Sequence, residues 1–293
     1  MQNVLLFVVT VLVWGSTWYA VAVQVPHAPL IVSALYRFVL AAVVMVSGLL
    51  IIGRLKRPLV WRYVILQALC LFSLNYLAFY RATALIPSGF VAVMFSLSAI
   101  LNAVNARIFF GERITFRVVL AGGIGLAGLV LIFWQDLIAT LNADTLRGVA
   151  WAGLGTMLFS LGNMASRMNG ARGVTPVTAN AWGMCFGALV LLTLTLSSRT
   201  PIVVPDVPAY WTAMLYLSVI GSVVAFTTYL IMVARIGSAR AAYATVFFPV
   251  VALAISTVFE GYVWTGTALA GVLLTLVGNL VMFLPRGLFR RRT

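Results

Sequence analysis

The sequence contains few acidic residues and a single histidine. Five Asp and Glu residues and one His occur among 293 residues. The histidine, His27, lies in a short connection between two apolar segments, and every acidic residue lies in a connection or at the end of an apolar segment. Metal clusters, acid–base carboxylate pairs and nucleophile–histidine arrangements are built from these side chains. We therefore expect a protein that is not an enzyme and that holds no metal and no other cofactor.

The centres of the apolar segments lack carboxylates, which argues against two kinds of membrane site. A dedicated proton relay generally uses Asp, Glu or His inside the bilayer. A site for polycationic compounds would need a buried carboxylate as counter-charge. The sequence offers neither arrangement at the centre of an apolar segment.

Cysteine is also scarce. The two cysteines, Cys70 and Cys185, both lie within apolar segments. A free cysteine in such a place behaves as a small hydrophobic residue, so we expect two buried thiols rather than a disulfide.

Hydrophobic residues dominate the rest of the chain. They make up 63% of it, charged residues make up 8%, and the mean hydropathy is +1.11. About 20 apolar residues form one membrane-spanning helix. Ten such helices are predicted, at 3–24, 29–52, 62–82, 88–109, 116–135, 147–168, 175–196, 208–233, 238–259 and 263–284. The connections are short, so the expected fold is an all-α polytopic membrane protein with one transmembrane domain over residues 1–293.

The positions of the basic residues indicate membrane topology rather than a nucleic-acid partner. The formal net charge is +14, and 15 of the 19 Lys and Arg residues lie on one side of the predicted bundle. The other side holds Arg81, Arg147 and Arg199, and Arg37 lies inside the second segment. Because short cytoplasmic connections are enriched in Lys and Arg, this asymmetry places both termini in the cytoplasm. We expect a multi-pass protein of a bacterial inner membrane, surrounded by lipid.

The second half of the chain repeats the first at an offset of 150 residues. Ten positions are identical when residues 84–133 are aligned without gaps to 234–283. Each half, 1–139 and 145–286, contains five predicted helices. A unit with an odd number of crossings that is followed by its copy places the copy upside down, so the halves are predicted to be inverted repeats. Such repeats recur in secondary transporters, where two near-equivalent halves rock around a central site.

Aromatic and uncharged polar residues recur at helical spacing in five of the predicted helices. An Asn in hydrocarbon must find a partner, either on another helix or in a cavity that contains water. Single aromatic residues can equally face lipid or the membrane interface. Together the five stripes predict a shared central cavity for a small-molecule substrate that is neutral or zwitterionic and partly aromatic. The predicted lining residues are Trp14, Trp18, Asn75, Tyr76, Tyr80, Phe95, Ser98, Asn102, Phe159, Asn163, Tyr243 and Phe247.

Arg37 is the one charged residue inside a predicted helix, about 12 Å from its outer end at 1.5 Å per residue. Two interpretations are open. Arg37 is either a structural charge, which snorkels to the interface or pairs with a carboxylate such as Glu260, or a ligand for a carboxylate of the substrate.

Proline and glycine residues in the last two helices of each half predict how those helices bend and pack. Pro249 lies in the middle of the ninth helix and should kink it, whereas the matching residue of the fourth helix is Ala99. The fifth and tenth helices are rich in glycine, which permits close approach of two backbones. We expect tight packing of these two helices rather than a hinge.

Several short motifs resemble those of the drug/metabolite transporter superfamily, in its ten-helix EamA-type branch. The resemblance rests on Trp14-Gly15-Ser16-Thr17, Tyr36-Arg37-Phe38 and Phe110-Gly111-Glu112, on the glycine-rich fifth helix, and on the similar region of helices 9 and 10. It covers essentially the whole chain. The resemblance implies a basket-shaped bundle in which helices 1–4 and 6–9 surround a central cavity and helices 5 and 10 support the packing.

Within that superfamily the chain is most similar to bacterial exporters of aromatic amino acids of the YddG type. Ala99 stands where the family often has a proline, and Glu260-Gly261 replaces a second Gly-Glu motif. The resemblance implies export of small amphipathic metabolites, aromatic or other neutral amino acids above all, by alternating access in a protein that works as a monomer. Alternatives are a carrier of another metabolite, such as a sugar derivative, nucleoside or organic cation, and a scaffold or receptor without transport.

Overall fold

The computed structural model describes residues 2–132, 143–226, 228–229 and 244–283. In these ranges all regular secondary structure is helical, and ten helices follow one another along the chain. They are α1 (Gln2–Gln24), α2 (Leu30–Ile51), α3 (Trp61–Thr83), α4 (Ser88–Phe110), α5 (Phe116–Ile132), α6 (Ala143–Gly170), α7 (Pro176–Ser197), α8 (Pro208–Val224), α9 (Ala244–Phe259) and α10 (Gly266–Phe283). The all-α, ten-helix fold expected from the sequence is confirmed.

Local sequence signals mark the helix ends. Pro176 and Pro208 occupy the first turns of α7 and α8, where the missing N–H would have no acceptor within the helix. Gly111 and Gly261, which are 150 residues apart, follow α4 and α9 with φ of 69° and 68°. This left-handed conformation is open to glycine at little cost, so it stops both helices in the same way.

Helix α6 is longer than its apolar segment predicts, which is 147–168. Its first turn contains Asp144, a residue that the positive end of the helix dipole favours, and Asp144 accepts a hydrogen bond from Arg147 at 3.2 Å. Helix α10 begins later than predicted, because the Thr265 hydroxyl accepts the backbone N–H of Ala268 and caps the helix there. Hydropathy locates the part of a helix that crosses the membrane, and polar caps set its actual ends.

The outer surface of the bundle is apolar. Large side chains such as Leu5, Val43, Ile51, Phe116 and Val119 are exposed. Within the described residues, α1 to α4 and α7 are long and apolar enough to cross a membrane, and α5, α8, α9 and α10 contain shorter apolar runs. A surface of this kind is suited to lipid rather than to water.

Helices of the two halves pack against one another in matching pairs. Helix α2 packs against α7, α4 against α9, and α5 against α10. Three further pairs each have a counterpart in the other half. The contact of α1 with α9 corresponds to that of α6 with α4, and the contact of α1 with α8 corresponds to that of α6 with α3. The contact of α2 with α8 corresponds to that of α7 with α3. Each pair becomes its counterpart when every helix is exchanged for the one five places along the chain. The contacts of the two halves are therefore nearly equivalent.

Helices α5 and α10 contact each other through glycine. A Cβ added at Gly271 would lie 2.5 Å from the Gly128 carbonyl oxygen, and one added at Gly278 would lie 2.9 Å from the backbone nitrogen of Gly125. Real side chains do not approach backbone so closely, so these glycines are what lets the two helices touch. The predicted tight packing is confirmed at these positions. Gly123, in contrast, faces open space.

Helices α3 and α8 each contain a π-helical turn. The turns span Cys70–Leu74 and Tyr216–Val224. Ser73 donates a hydrogen bond to the Ala68 carbonyl at 3.0 Å, and Ser222 donates one to the Leu217 carbonyl at 2.9 Å, in each case five residues back. The serine hydroxyls satisfy carbonyls that the wider turn leaves short of partners.

Helices α4 and α9 differ near their midpoints. Helix α4 is interrupted at Leu97, directly after Ser96, whose hydroxyl donates to the Val93 carbonyl at 2.6 Å and competes with the backbone. Helix α9 continues across Pro249, which is buried against the protein. The halves therefore differ here in sequence and in helix continuity, since α4 is interrupted and α9 is not.

Candidate functional site

A cavity lies among the helices of the two halves, at the level where α1 and α3 are near their midpoints. It has about 540 Å³ of atom-free space, its open end included. The lining residues are Trp14, Thr17, Trp18, Val21, Arg37, Asn75, Tyr76, Phe79, Phe95, Phe159, Phe226 and Phe248.

Aromatic rings form most of the wall. Phe95 is at the centre of one group, with its ring centroid 4.6 Å from Phe159, 5.4 Å from Trp18 and 5.7 Å from Phe79. Most of these pairs are edge-to-face or tilted, the geometries that ring quadrupoles favour. The rings come from α1, α3, α4 and α6, so several helices present one continuous aromatic surface to the cavity.

Trp14 connects this wall to α8 and α9. Its ring lies 5.0 Å from Phe226 and 5.7 Å from Phe248 in edge-to-face contact. Its indole N–H donates to the Gly221 carbonyl at 3.0 Å. Trp14 therefore has a fixed orientation and contributes an apolar face to the site.

Arg37 brings the one charge to the cavity wall. Its side chain is 2% exposed, and its Nε donates to the Ser222 hydroxyl at 3.2 Å. The guanidinium lies over the Tyr76 ring at 4.5 Å. Among the described residues no carboxylate lies within ion-pair distance of it. Stacking on Tyr76 and the hydrogen bond to Ser222 hold the arginine in place without neutralising it.

Two other lining residues have buried polar atoms without a partner in the described part of the chain. They are the indole N–H of Trp18 and the side-chain carbonyl oxygen of Asn75. Trp18 is 8% exposed and Asn75 is 1% exposed. A buried donor or acceptor without a partner is costly, and such atoms concentrate at binding sites. The residues that line the cavity thus include one buried unpartnered donor, one buried unpartnered acceptor and one cation.

The π-helical turns place several of these groups. Asn75 and Tyr76 directly follow the turn of α3, and Ser222, which holds Arg37, lies within the turn of α8. A Cβ at Gly221 in the same turn would lie 2.8 Å from the Thr17 side chain and 3.6 Å from the Arg37 Nη2 atom. Glycine at this position lets α1 approach α8 at Thr17. Wide turns of this kind are frequent at functional sites.

The structure places the other predicted site residues elsewhere. Tyr80 is fully buried behind the cavity and donates to the Gln24 side chain at 2.5 Å. Asn163 donates to Asn102 at 3.3 Å between α6 and α4, and Ser98 is buried at the interruption of α4.

The remaining two predicted residues are on or before α9. Phe247 is 43% exposed and packs against Phe7. Tyr243 lies outside the described residues. The substrate-binding role of the residues placed outside the cavity, and of Tyr243, stays a prediction.

Sequence reasoning missed five lining residues, and part of their signal was present. Phe79 and Phe248 are each one residue away from a predicted aromatic, and helical spacing alone allows either position to face the cavity. Thr17 and Val21 continue the face of α1 that carries Trp14 and Trp18. Phe226 follows the π-helical turn of α8, which the sequence pattern does not indicate.

Glu260 has partners other than the one expected for it. Its carboxylate accepts hydrogen bonds from the Ser88 hydroxyl at 2.6 Å, from the Ser88 backbone N–H at 3.4 Å and from the Ser256 hydroxyl. Gly89 donates its N–H to Ser256 at 2.9 Å. The pair of Arg37 and Glu260 is therefore not formed. Glu260 instead joins the end of α9 to the start of α4, where a helix N-terminus favours negative charge.

A second set of polar contacts joins the halves near the end of the bundle that the charge pattern places in the cytoplasm. Gln67 donates to Asn180 at 2.9 Å and accepts from Asn169 at 3.0 Å, so that amides link α3, α7 and α6. Arg167 of α6 pairs with Glu112 at 2.5 Å beyond the end of α4. Polar contacts between the halves are thus present towards both ends of the cavity.

Named relatives of the chain are membrane transporters where their names state a function. The chain is 25% identical to "Uncharacterized transporter YyaM" of Bacillus subtilis (strain 168), over 76% of the chain and 75% of that protein. It is 23% identical to "Uncharacterized inner membrane transporter YedA" of Escherichia coli (strain K12), over 85% of the chain and 80% of YedA. "Protein PecM" of Dickeya dadantii (strain 3937) is 25% identical over 96% of the chain and 91% of PecM.

The fold agrees with a solved crystal structure of another protein. The two chains superpose with a TM-score of 0.71 at 20% sequence identity, and the alignment covers 99% of each. The sequence profile of the EamA-like transporter family matches residues 1–134 and again residues 146–284. Nearly the whole chain is covered by these two matches, and each contains five of the ten helices. The helical bundle with its cavity, the family profile matched by both halves and the relatives named as transporters all agree. The chain belongs to the EamA-like transporter family, a branch of the drug/metabolite transporter superfamily, and is a multi-pass membrane transporter of small molecules rather than an enzyme.

Proposed function

We propose that this transporter exports small amphipathic metabolites, aromatic and other neutral amino acids above all, from a bacterial cytoplasm by alternating access. The observation that carries the proposal is the aromatic wall of the cavity, in which Phe95, Trp18 and Phe159 meet around one space. Rings bind an apolar or aromatic side chain without demanding one shape, and each contributes about 0.5–1.5 kcal/mol beyond area burial. Such moderate binding suits a carrier that must also release its cargo.

The paired contacts of the two halves support alternating access. We propose that residues 1–139 and 145–286 are inverted repeats. One arrangement of their contacts can then open the cavity to one side of the membrane, and the symmetry-related arrangement can open it to the other side. The contacts between the halves at both ends include hydrogen bonds, as between Glu260 and Ser88 and between Gln67 and Asn180. Hydrogen bonds exchange with water at a net cost of about 0.5–1.5 kcal/mol each, so these contacts can break and re-form.

The proposal places the protein in the inner membrane with both termini in the cytoplasm, since 15 of 19 basic residues lie on that side. A single chain supplies every wall of the cavity, which supports function as a monomer. The YddG-type resemblance supports the substrate class, and the name of YedA as an inner membrane transporter supports the location.

Counterflow in liposomes tests the proposal. Purified protein is reconstituted with unlabelled amino acid inside, and uptake of labelled tryptophan, phenylalanine, leucine and lysine is measured with and without a proton gradient. We expect saturable uptake of the aromatic and neutral amino acids and little uptake of lysine. Uptake of a nucleoside, sugar derivative or organic cation instead would identify another metabolite carrier. Absence of flux for every solute would favour a scaffold or receptor.

Net direction needs a separate measurement in cells. Overexpression is expected to raise tolerance to toxic aromatic amino-acid analogues and to increase the release of aromatic amino acids into the medium. Lower tolerance would show net uptake and would contradict export.

A further inference from the structure

We infer that Arg37, Asn75 and Trp18 form the polar end of the substrate site, and that the ligand they select carries a carboxylate. This inference rests on the proposed function, because it assigns the polar contacts of the same cavity. It divides the cavity into a charged end, where the carboxylate binds, and an aromatic end, where the side chain binds. Arg37 is then a specificity-determining residue rather than a structural charge.

The charge of Arg37 is the first reason. Burying a guanidinium that is 2% exposed inside a membrane bundle costs free energy unless an anion compensates its charge. Among the described carboxylates, Glu112 pairs with Arg167, Asp144 pairs with Arg147, and Glu260 binds serine hydroxyls. Neither these three nor Asp206, the fourth described carboxylate, lies within ion-pair distance of Arg37. The counter-charge must therefore come from outside the described chain, and the cavity that Arg37 lines is the place where an anion can enter.

The way in which Arg37 is held is the second reason. Ser222 accepts from Nε at 3.2 Å, and the flat face of the guanidinium lies over Tyr76 at 4.5 Å. These contacts use one N–H and one face of the group. A planar guanidinium that is fixed in this way presents a fork that matches the two oxygens of a carboxylate.

The unpartnered atoms of two other lining residues are the third reason. The Asn75 Oδ1 atom is a buried acceptor directly before Tyr76 in the chain, and the Trp18 Nε1–H is a buried donor on the neighbouring helix. An ammonium group can donate to Asn75, and a carboxylate oxygen can accept from Trp18. A zwitterionic amino acid supplies both groups on one carbon, and its side chain then extends toward Phe95 and Phe159.

The same arrangement disfavours cations. A monovalent organic cation would place its charge beside a buried guanidinium with no carboxylate to separate the two, and like charges at such distances repel strongly in a low dielectric. An uncharged ligand would leave Arg37 uncompensated. The polar end thus selects against two ligand classes that aromatic rings alone would accept.

Ligand-induced stabilisation of the purified protein tests the inference independently of transport. The unfolding temperature is measured in detergent with tryptophan, with indole-3-propionate, which lacks the amino group, and with tryptamine and tryptophan amide, which lack the carboxylate. We expect the two carboxylates to stabilise the wild type and the two amines to have little effect. Equal stabilisation by tryptamine and tryptophan, or none by either carboxylate, would overturn the inference.

Variants assign the effect to Arg37. Arg37→Gln is expected to weaken tryptophan binding by about 10- to 100-fold and to abolish the preference for carboxylates, and Arg37→Lys is expected to retain part of it. Arg147→Gln is the matched control, since it removes an arginine that is 71% exposed. If Arg37→Gln folds and binds tryptophan as the wild type does, the inference is wrong even where flux continues. Carboxylate-selective binding without flux would contradict the proposed function alone.

Discussion

Trp18 combines two functions that usually fall to different side chains. Its ring packs at 90° against Phe79 and tilts against Phe95, so it forms part of the wall. Its indole N–H has no hydrogen-bond partner in the described residues and borders the cavity. The packing is present whether or not the site is occupied, whereas the N–H is satisfied only when something binds.

Substitutions at Trp18 can separate the two functions. Trp18→Phe keeps most of the ring and removes the donor, so we expect normal stability and a KM for tryptophan that is raised about 3- to 10-fold. Trp18→Ala removes the ring as well and is expected to lower the free energy of unfolding by about 3–5 kcal/mol. Counterflow kinetics and thermal unfolding measure the two effects.

Trp264→Phe serves as the control for that experiment. Trp264 is 38% exposed and donates to Thr257 far from the cavity lining, so the same change there should leave KM unaltered. An unchanged KM in Trp18→Phe would show that the indole N–H does not contact substrate.

The sequence predicts which helices line the cavity better than it predicts which residues do. Trp14 and Trp18 are four residues apart and both face the cavity, as do Phe95 and Phe159. On α3, however, Phe79 lines the cavity and Tyr80 does not, because Tyr80 turns to a partner on α1. One position along a helix is a rotation of about 100°. A pattern within one helix cannot choose between such neighbours when the partner is on another helix.

At the scale of helices, the contact between α5 and α10 depends on glycines, which have no side chain to hold the two backbones apart. Gly271→Ala would force a methyl group against the Gly128 carbonyl and Ile132. We expect the free energy of unfolding to fall by about 1–3 kcal/mol, since overpacked contacts of this kind must shift backbone. Thermal unfolding in detergent is the measurement.

Gly123→Ala is the matched control, because a Cβ there meets nothing within 4 Å. Alanine also favours the helix, so stability should stay the same or rise slightly. Equal destabilisation by both substitutions would show that helix flexibility rather than close packing is what these glycines provide.

Glu260 joins α9 to α4 by accepting hydrogen bonds from two fully buried serine hydroxyls. Glu260→Ala removes the acceptor of Ser88 and Ser256, both 0% exposed, and should lower the free energy of unfolding by about 1–3 kcal/mol. Glu112→Ala removes the partner of Arg167 in an ion pair whose side chains are 53% and 45% exposed, and should cost under about 1 kcal/mol. A larger loss in Glu112→Ala than in Glu260→Ala would contradict this ranking.

The extent of the helices follows from composition, but their irregularities do not. Runs of apolar residues locate α1 to α4 and α7 to within a few residues, because the thickness of a bilayer imposes a length. The π-helical turn at Cys70–Leu74 contains neither proline nor glycine, and the interruption of α4 follows a serine that resembles many others in the chain. Such features arise from hydrogen bonds between specific hydroxyl and carbonyl groups, which composition does not reveal.

For the whole molecule, the distribution of basic residues predicts how the chain is oriented in the membrane, and this prediction can be tested directly. We expect a reporter enzyme that is active only in the periplasm to be inactive when fused after Thr293 and active when fused after Arg199, which lies on the side with few basic residues. A fusion after Arg57, on the basic side, is the internal control and should be inactive. Activity of the fusion after Thr293 would reverse the proposed orientation of the C-terminus.

The wide turns in α3 and α8 have a consequence for insertions and deletions. A π-helical turn has more residues per turn than an α-helix, so losing one residue there can convert it to regular helix while the segments on either side keep their orientation. Losing one residue elsewhere in a spanning helix would rotate everything beyond it by about 100° and turn lining residues toward lipid. Homologous transporters can therefore differ in length by one residue at Cys70–Leu74 or Tyr216–Val224 and still present the same faces to their cargo.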